Sequence, residues 1–192
     1  YNTNMKNEKL EDYIYIVKSA LSNDLCDEIL KEYKNTYEWK ATLIGQGNTN
    51  TDIRNCQSIN ISYQVTIQKK EEIRNNLDQL VFHGASLCIA EYNKQFSHCE
   101  IEQDSGYELL RYSEGCFYKQ HVDSSKKLPR SVSCSFILND DFEGGEFAFF
   151  DRELKYKLGK GDALMFPSNF MYPHEVMPVT KGTRYSIVTW FI

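Results

Sequence analysis

Apolar residues in the first half of this chain recur mainly at three- and four-residue spacing, whereas in the second half they come as short runs broken by turn residues. After a polar start over residues 1–12, Tyr13–Val17 (YIYIV) is dense in β-forming side chains and predicts a first strand. The segment SNDLCDEILKEYKN follows, with Ser22 or Asn23 as a helix cap and early acids suited to the positive dipole end. Leu25, Ile29, Leu30 and Tyr33 then fall on one helical face, which predicts a helix docked on a sheet. Residues 43–56 (LIGQGNTNTDIRNC) show little periodicity and are rich in Gly, Asn and Thr, so they predict a loop long enough to act as a lid. From Lys70 to about Phe96, the residues Ile73, Leu77, Leu80, Val81, Leu87 and Cys88 predict one long amphipathic helix despite Gly84.

From Tyr107 onward the runs YELLRY, CFYKQHV, SVSCSFIL, GGEFAFF, DALMFP, HEVMPV and RYSIVTWFI predict seven or so closely spaced strands. Such a series without intervening helices predicts an antiparallel sandwich or jelly roll, with the two earlier helices packed on one sheet. The fold class is therefore mainly β with flanking helices (α+β). No repeat, low-complexity tract or linker divides the 192 residues, so residues 1–192 read as a single domain. Within it, residues 1–104 form an N-terminal strand and helix region and residues 105–192 a jelly-roll core.

Composition narrows the function. A 41% apolar, 14% aromatic chain with 13 tyrosines is globular rather than disordered. The net charge is −5 and the basic residues are scattered, which argues against nucleic acid as a partner. Cys26, Cys56, Cys88, Cys99, Cys116 and Cys134 are widely spaced, with no C-x-x-C pair, so reduced thiols and a cytoplasmic location are expected. No apolar run reaches the roughly 18 residues of a membrane span, and no basic-then-apolar leader is seen.

Only four histidines are present, and one of them, in YKQHVDSS, stands two places before an aspartate. In an extended strand His121 and Asp123 share a face while Val122 turns away, so the pair can converge on one ion; a surface histidine is the simpler alternative. His174 enters a later apolar run, where a returning strand could bring it beside His121. Two imidazoles and one carboxylate with open positions are the ligand set of non-haem Fe(II) oxygenases. Arg184 begins the last run and shares a face with Ser186, Val188 and Trp190, directed into the barrel. A guanidinium there calls for an anion, either a bidentate carboxylate ligand or an acid such as Glu108 or Glu146.

Taken together, HVD, GGEFAFF and GDALMFPSNFMYPHEVMPVTKGTRYSIVTWF resemble the 2-oxoglutarate- and Fe(II)-dependent dioxygenases, particularly the prolyl 4-hydroxylase-like branch, over roughly residues 105–192. RYSEGCFYKQHVD is similar to that branch's tyrosine-rich lead into its metal motif, and IVKSALSNDLCDEILKEYK to its first strand and helix. The resemblance implies a double-stranded β-helix (cupin-like jelly roll). It implies His121, Asp123 and His174 as iron ligands, and Arg184 as partner of the distal carboxylate of 2-oxoglutarate. Tyr112 and Tyr118 match positions lining the cosubstrate pocket, although tyrosine is also ordinary core filling; Thr183 and Ser186 flank Arg184 and could add a hydroxyl. Ile137 stands where some prolyl hydroxylases carry a tyrosine on the distal carboxylate, which shifts that role toward Tyr112. Arg130 and Trp190 match positions near the substrate mouth, with a solvated arginine and a core tryptophan as alternatives.

The implied activity is hydroxylation of a C–H bond, first of all in a peptidyl proline, using Fe(II), 2-oxoglutarate and O2, with ascorbate as an auxiliary reductant and succinate and CO2 as coproducts. A peptide or protein is the implied partner, and a free amino acid or other small molecule the alternative substrate. The superfamily's nucleic-acid demethylases carry a second arginine six residues beyond the first, where this chain has Trp190. Other readings are a non-catalytic metal- or peptide-binding jelly roll and a zinc hydrolase, the latter leaving Arg184 without an anion. The substrate, the oligomeric state and the host are not legible.

Overall fold

The computed structural model describes residues 8–42, 49–62, 69–99, 101 and 103–192. In chain order the strands are β1 (Tyr15–Val17), β2 (Lys40–Ala41), β3 (Arg54–Asn55), β4 (Gln57–Asn60), β5 (Glu108–Ser113), β6 (Phe117–His121) and β7 (Val132–Ile137). They continue as β8 (Glu143–Gly144), β9 (Phe147–Phe149), β10 (Leu154–Tyr156), β11 (Ala163–Pro167), β12 (His174–Val176), β13 (Val179–Lys181) and β14 (Thr183–Phe191). Two helices, α1 (Asn23–Tyr33) and α2 (Lys69–Gln95), precede the strand-rich half.

A seven-stranded antiparallel sheet in the order β1-β11-β7-β14-β5-β4-β2 faces a five-stranded sheet in the order β10-β9-β12-β6-β3. Between them lies one apolar cluster that includes Leu110, Tyr112, Ile137, Phe149, Leu164 and Phe166. This is the double-stranded β-helix expected from the resemblance, and both helices cover the outer face of the larger sheet. There Val132, Cys134, Phe136, Ile187 and Phe191 meet Leu25, Ile29, Val81 and Cys88 in a second cluster. Alternation explains the split: successive residues of a strand face opposite sides, so a central strand supplies both clusters at once.

Ser22 caps α1 by accepting the Leu25 N–H at 3.2 Å, and Leu25, Cys26, Ile29 and Tyr33 are buried as the pattern predicts. In α2 the buried face is instead Leu77, Val81, Ala85, Cys88 and Tyr92, whereas Ile73, Leu80 and Leu87 are exposed. Those three recur every seven residues and form their own stripe, which a count of apolar positions does not separate from the core stripe. Gly84 joins the core face for a steric reason: a Cβ there would lie 2.5 Å from Leu21 Cδ2 and 3.0 Å from the Ala20 carbonyl.

The first strand is shorter than expected. Leu10–Tyr13 forms a 3-10 turn and only Tyr15–Val17 pairs, antiparallel to β11. The expected lid also changes character. Residues 43–48 of it lie outside the described residues, while Arg54–Asn55 pair with β6 as the edge strand of the smaller sheet. Among the described residues, no helix is long and apolar enough to cross a membrane. All six cysteines are free thiols.

Candidate metal centre and cosubstrate pocket

β12 lies antiparallel to β6 with His174 directly opposite His121, so sheet register brings together two histidines far apart in sequence. Asp123 follows β6 and turns back toward the pair, with Oδ1 3.3 Å from His121 Nε2 and Oδ2 3.6 Å from His174 Nε2. The ligand atoms of the three residues all lie within 4.8 Å of one another. No other such cluster occurs among the described residues.

Both imidazoles are oriented from behind. His121 Nδ1 lies 2.9 Å from the Lys119 carbonyl and His174 Nδ1 3.1 Å from the Tyr172 carbonyl, so each Nδ1–H donates to a carbonyl and each Nε2 offers its lone pair to the centre. Tyr118 stacks on His121 with ring centroids 3.5 Å apart, and Phe166 meets His174 edge-on at 4.6 Å. Burial pushes the His174 imidazole down to about 4 against the pull of Asp123, so the ring is neutral at physiological pH. Burial opposes ionisation of Asp123, but His174, His121 and the Ser133 hydroxyl outweigh it and hold the carboxyl well below the usual range. Ser133 donates to Asp123 Oδ2 at 2.6 Å, and Ser168 stands behind it at 2.8 Å. Two imidazoles and a carboxylate, aimed at one point with a cavity on the far side, fit Fe(II) with coordination positions left open.

The cavity measures 680 Å³. At its deep end Arg184 is 1% exposed. Its Nη1 donates to Ser186 Oγ at 2.8 Å, while Nη2 is buried with no partner among the described residues. The guanidinium carbon lies 5.3 Å from the Tyr112 ring centroid and 5.0 Å from that of Phe147. Burial lowers its affinity for the proton, yet a guanidinium stays charged, so a cation with no ion-pair partner among the described residues is held in the wall. Neither Glu108 nor Glu146 forms an ion pair with it. Gly145 makes the room: its φ is +66°, and a Cβ there would lie 2.9 Å from Arg184 Cδ. Burial raises the Tyr112 phenol well above its ordinary value, so it is a neutral donor. Ile137 is buried opposite Ser186 and supplies no hydroxyl to this end, whereas Tyr112 lines the cavity across the sheet from Arg184.

Also on the cavity wall, Arg130 lies over Trp190 at 3.5 Å and donates to the Asp123 carbonyl at 3.2 Å. The arginine is thus hydrogen-bonded, and the half-buried tryptophan lines the cavity beside it. Thr183 does not line the cavity, although its carbonyl accepts from Asn139 at 2.7 Å. Sequence reasoning passed over Ser133, Ser135 and Arg54, all on the cavity wall. The serines had a signal: alternating Ser131, Ser133 and Ser135 in SVSCSFIL place hydroxyls on one face of an otherwise apolar strand.

A jelly roll with an open-sided histidine–carboxylate triad and a buried arginine fits a mononuclear non-haem iron site. The model of the 2OG-Fe(II) oxygenase superfamily matches residues 107–192. That match covers the C-terminal, strand-rich part of the chain, and the relatives similar to the same region are PKHD-type hydroxylases. It is 41% identical over 88 residues to a PKHD-type hydroxylase of Idiomarina loihiensis, covering 43% of this chain and 39% of that protein. The chain thus spans about two fifths of the first curated relatives it matches. A prolyl hydroxylase from Trichoplax adhaerens, solved with a hypoxia inducible factor oxygen degradation domain peptide fragment, superposes with a TM-score of 0.76 at 21% identity, over 94% of this chain and 84% of that one. The viral collagen prolyl hydroxylase of Paramecium Bursaria Chlorella virus-1, in its 2OG complex, gives 0.64 at 18% identity over 93% and 95%. At such identities these structures establish the shared fold.

Proposed function

We propose that this chain, acting as one domain, is an Fe(II)- and 2-oxoglutarate-dependent dioxygenase that hydroxylates a C–H bond, with a peptidyl proline as first substrate. The observation that carries the reading is the unpaired Arg184 guanidinium in the same cavity as the triad. A zinc hydrolase has no use for that cation, and a non-catalytic jelly roll has no need of it. A dicarboxylate with one end on the metal and the other on Arg184 satisfies both.

His121, Asp123 and His174 would hold the iron, which with 2-oxoglutarate and O2 supplies oxidation of an unactivated C–H bond, releasing succinate and CO2. The protein's share is positioning. Arg184, Ser186 and Tyr112 grip the distal carboxylate, while Phe147 and Phe166 line the cavity with apolar surface and exclude water. Tyr118 fixes the His121 ring, and the Arg130–Trp190 pair offers a charged and aromatic rim to an incoming peptide. Ascorbate serves as auxiliary reductant. Six free thiols suit a reducing compartment, for which we propose the cytoplasm.

The test is mass spectrometry of a peptide library, including proline-rich members, incubated with the protein, Fe(II) and 2-oxoglutarate. A gain of one oxygen with stoichiometric succinate is expected. Succinate without peptide oxidation directs the search to free amino acids and other small molecules, and absence of both overturns the reading.

A further inference from the structure

The cavity wall formed by β7 and β14 carries three inward hydroxyls, and two are engaged: Ser133 on Asp123 and Ser186 on Arg184. The third, Ser135, is 3% exposed, lines the same cavity, and its Oγ has no partner among the described residues. Its neighbours across the sheet are Leu164 and Val188, which offer no polar side-chain atom. Register fixes its level. Ser133 lies opposite Trp190, Ser135 opposite Val188 and Ile137 opposite Ser186, so Ser135 sits one two-residue strand step of about 7 Å from Ser133, which bonds Asp123, and one from the level of Ser186, which bonds Arg184. A buried hydroxyl left without a partner is destabilising, and its persistence in a ligand-sized cavity calls for a ligand atom.

We propose that Ser135 is a further cosubstrate-binding residue that, from a level between the two anchored ends, donates its hydroxyl hydrogen to a carboxylate oxygen of 2-oxoglutarate. The proposal rests on the functional reading above and adds to it a contact that Arg184 and the triad do not make. It also compensates for Ile137, which brings no hydroxyl to the neighbouring position.

The experiment is calorimetric titration of 2-oxoglutarate into Mn(II)-loaded protein, which needs no turnover, together with thermal unfolding of the ligand-free forms. Ser135→Ala should bind 2-oxoglutarate about five- to tenfold more weakly while its ligand-free unfolding midpoint holds or rises, since an unsatisfied group has been removed. Ser135→Thr, which keeps the hydroxyl, should recover most of the affinity. Equal binding by Ser135→Ala and the unaltered protein overturns the proposal and assigns the hydroxyl to water. A midpoint that falls along with the affinity also overturns it, because Ser135 would then support the fold. If the unaltered protein does not bind 2-oxoglutarate, the functional reading fails and this contact with it.

Discussion

Along β14 the side chains alternate between two surroundings. Tyr185, Ile187 and Phe191 are buried in the cluster shared with the helices, whereas Arg184, Ser186, Val188 and Trp190 line the cavity. β7 repeats the division, with Val132, Cys134 and Phe136 on the helix side and Ser133 and Ser135 on the cavity wall. The helix face is close-packed apolar surface, which stabilises the fold. The cavity face holds a guanidinium nitrogen and a hydroxyl without a partner among the described residues, and three metal-ligand side chains that converge on one point. One sheet thus separates stability from chemistry by the two-residue period of its strands, and changes on its two sides should have opposite consequences.

The largest effect is expected at the metal. His174→Ala should abolish iron binding, read as metal content after dialysis, and with it all turnover; normal iron content would break the triad assignment. On the opposite face, Phe136→Ala removes a fully buried ring and should cost about 3–5 kcal/mol in denaturant unfolding, with activity per folded molecule retained. Arg184→Met sharpens the contrast. Affinity for 2-oxoglutarate should fall by about 2–5 kcal/mol while metal stays bound, and the ligand-free protein should gain stability by losing an uncompensated cation.

Acid should reveal the cavity face in another way. His174 is held near 4 in the fold against about 6.5 unfolded, so the unfolded chain takes up the proton first. Stability of the metal-free protein should therefore fall by about 1–2 kcal/mol as pH drops from 6.5 to 5, read as a lower urea midpoint. Asp123, whose carboxyl is depressed, adds its own loss only below its ordinary range. A midpoint flat across that interval would show that His174 is protonated in the fold. The smallest effect is expected for Ser133→Ala, which frees Asp123 Oδ2 and should weaken metal binding by about tenfold with little change in stability.

The strands of residues 105–192 were legible because each run has a strand's length and period and is closed by turn residues. The convergence of His121, Asp123 and His174 was legible only as permission. Spacing allows two ligands on one face, but the third depends on β12 lying beside β6, a non-local pairing that the resemblance and not the pattern supplied. Less was readable where two stripes share a helix: Ile73, Leu80 and Leu87 count as apolar wherever they face, and only docking against Leu21 and Ala20 selects the Gly84 side. The role of Arg54–Asn55 was hidden for a related reason, since a two-residue edge strand has no period to detect. The serines of β7 show a polar alternation that marks a cavity, but their partners come from other strands and loops.

Gly145 gives the deep end of the cavity an adjustment reached from outside it. The missing side chain there is the clearance in which the stem of Arg184 rests, so one added methyl would bear on the guanidinium like a shim behind a latch. Evolution or design could thereby retune how firmly a diacid is grasped while leaving every surface the diacid touches chemically the same.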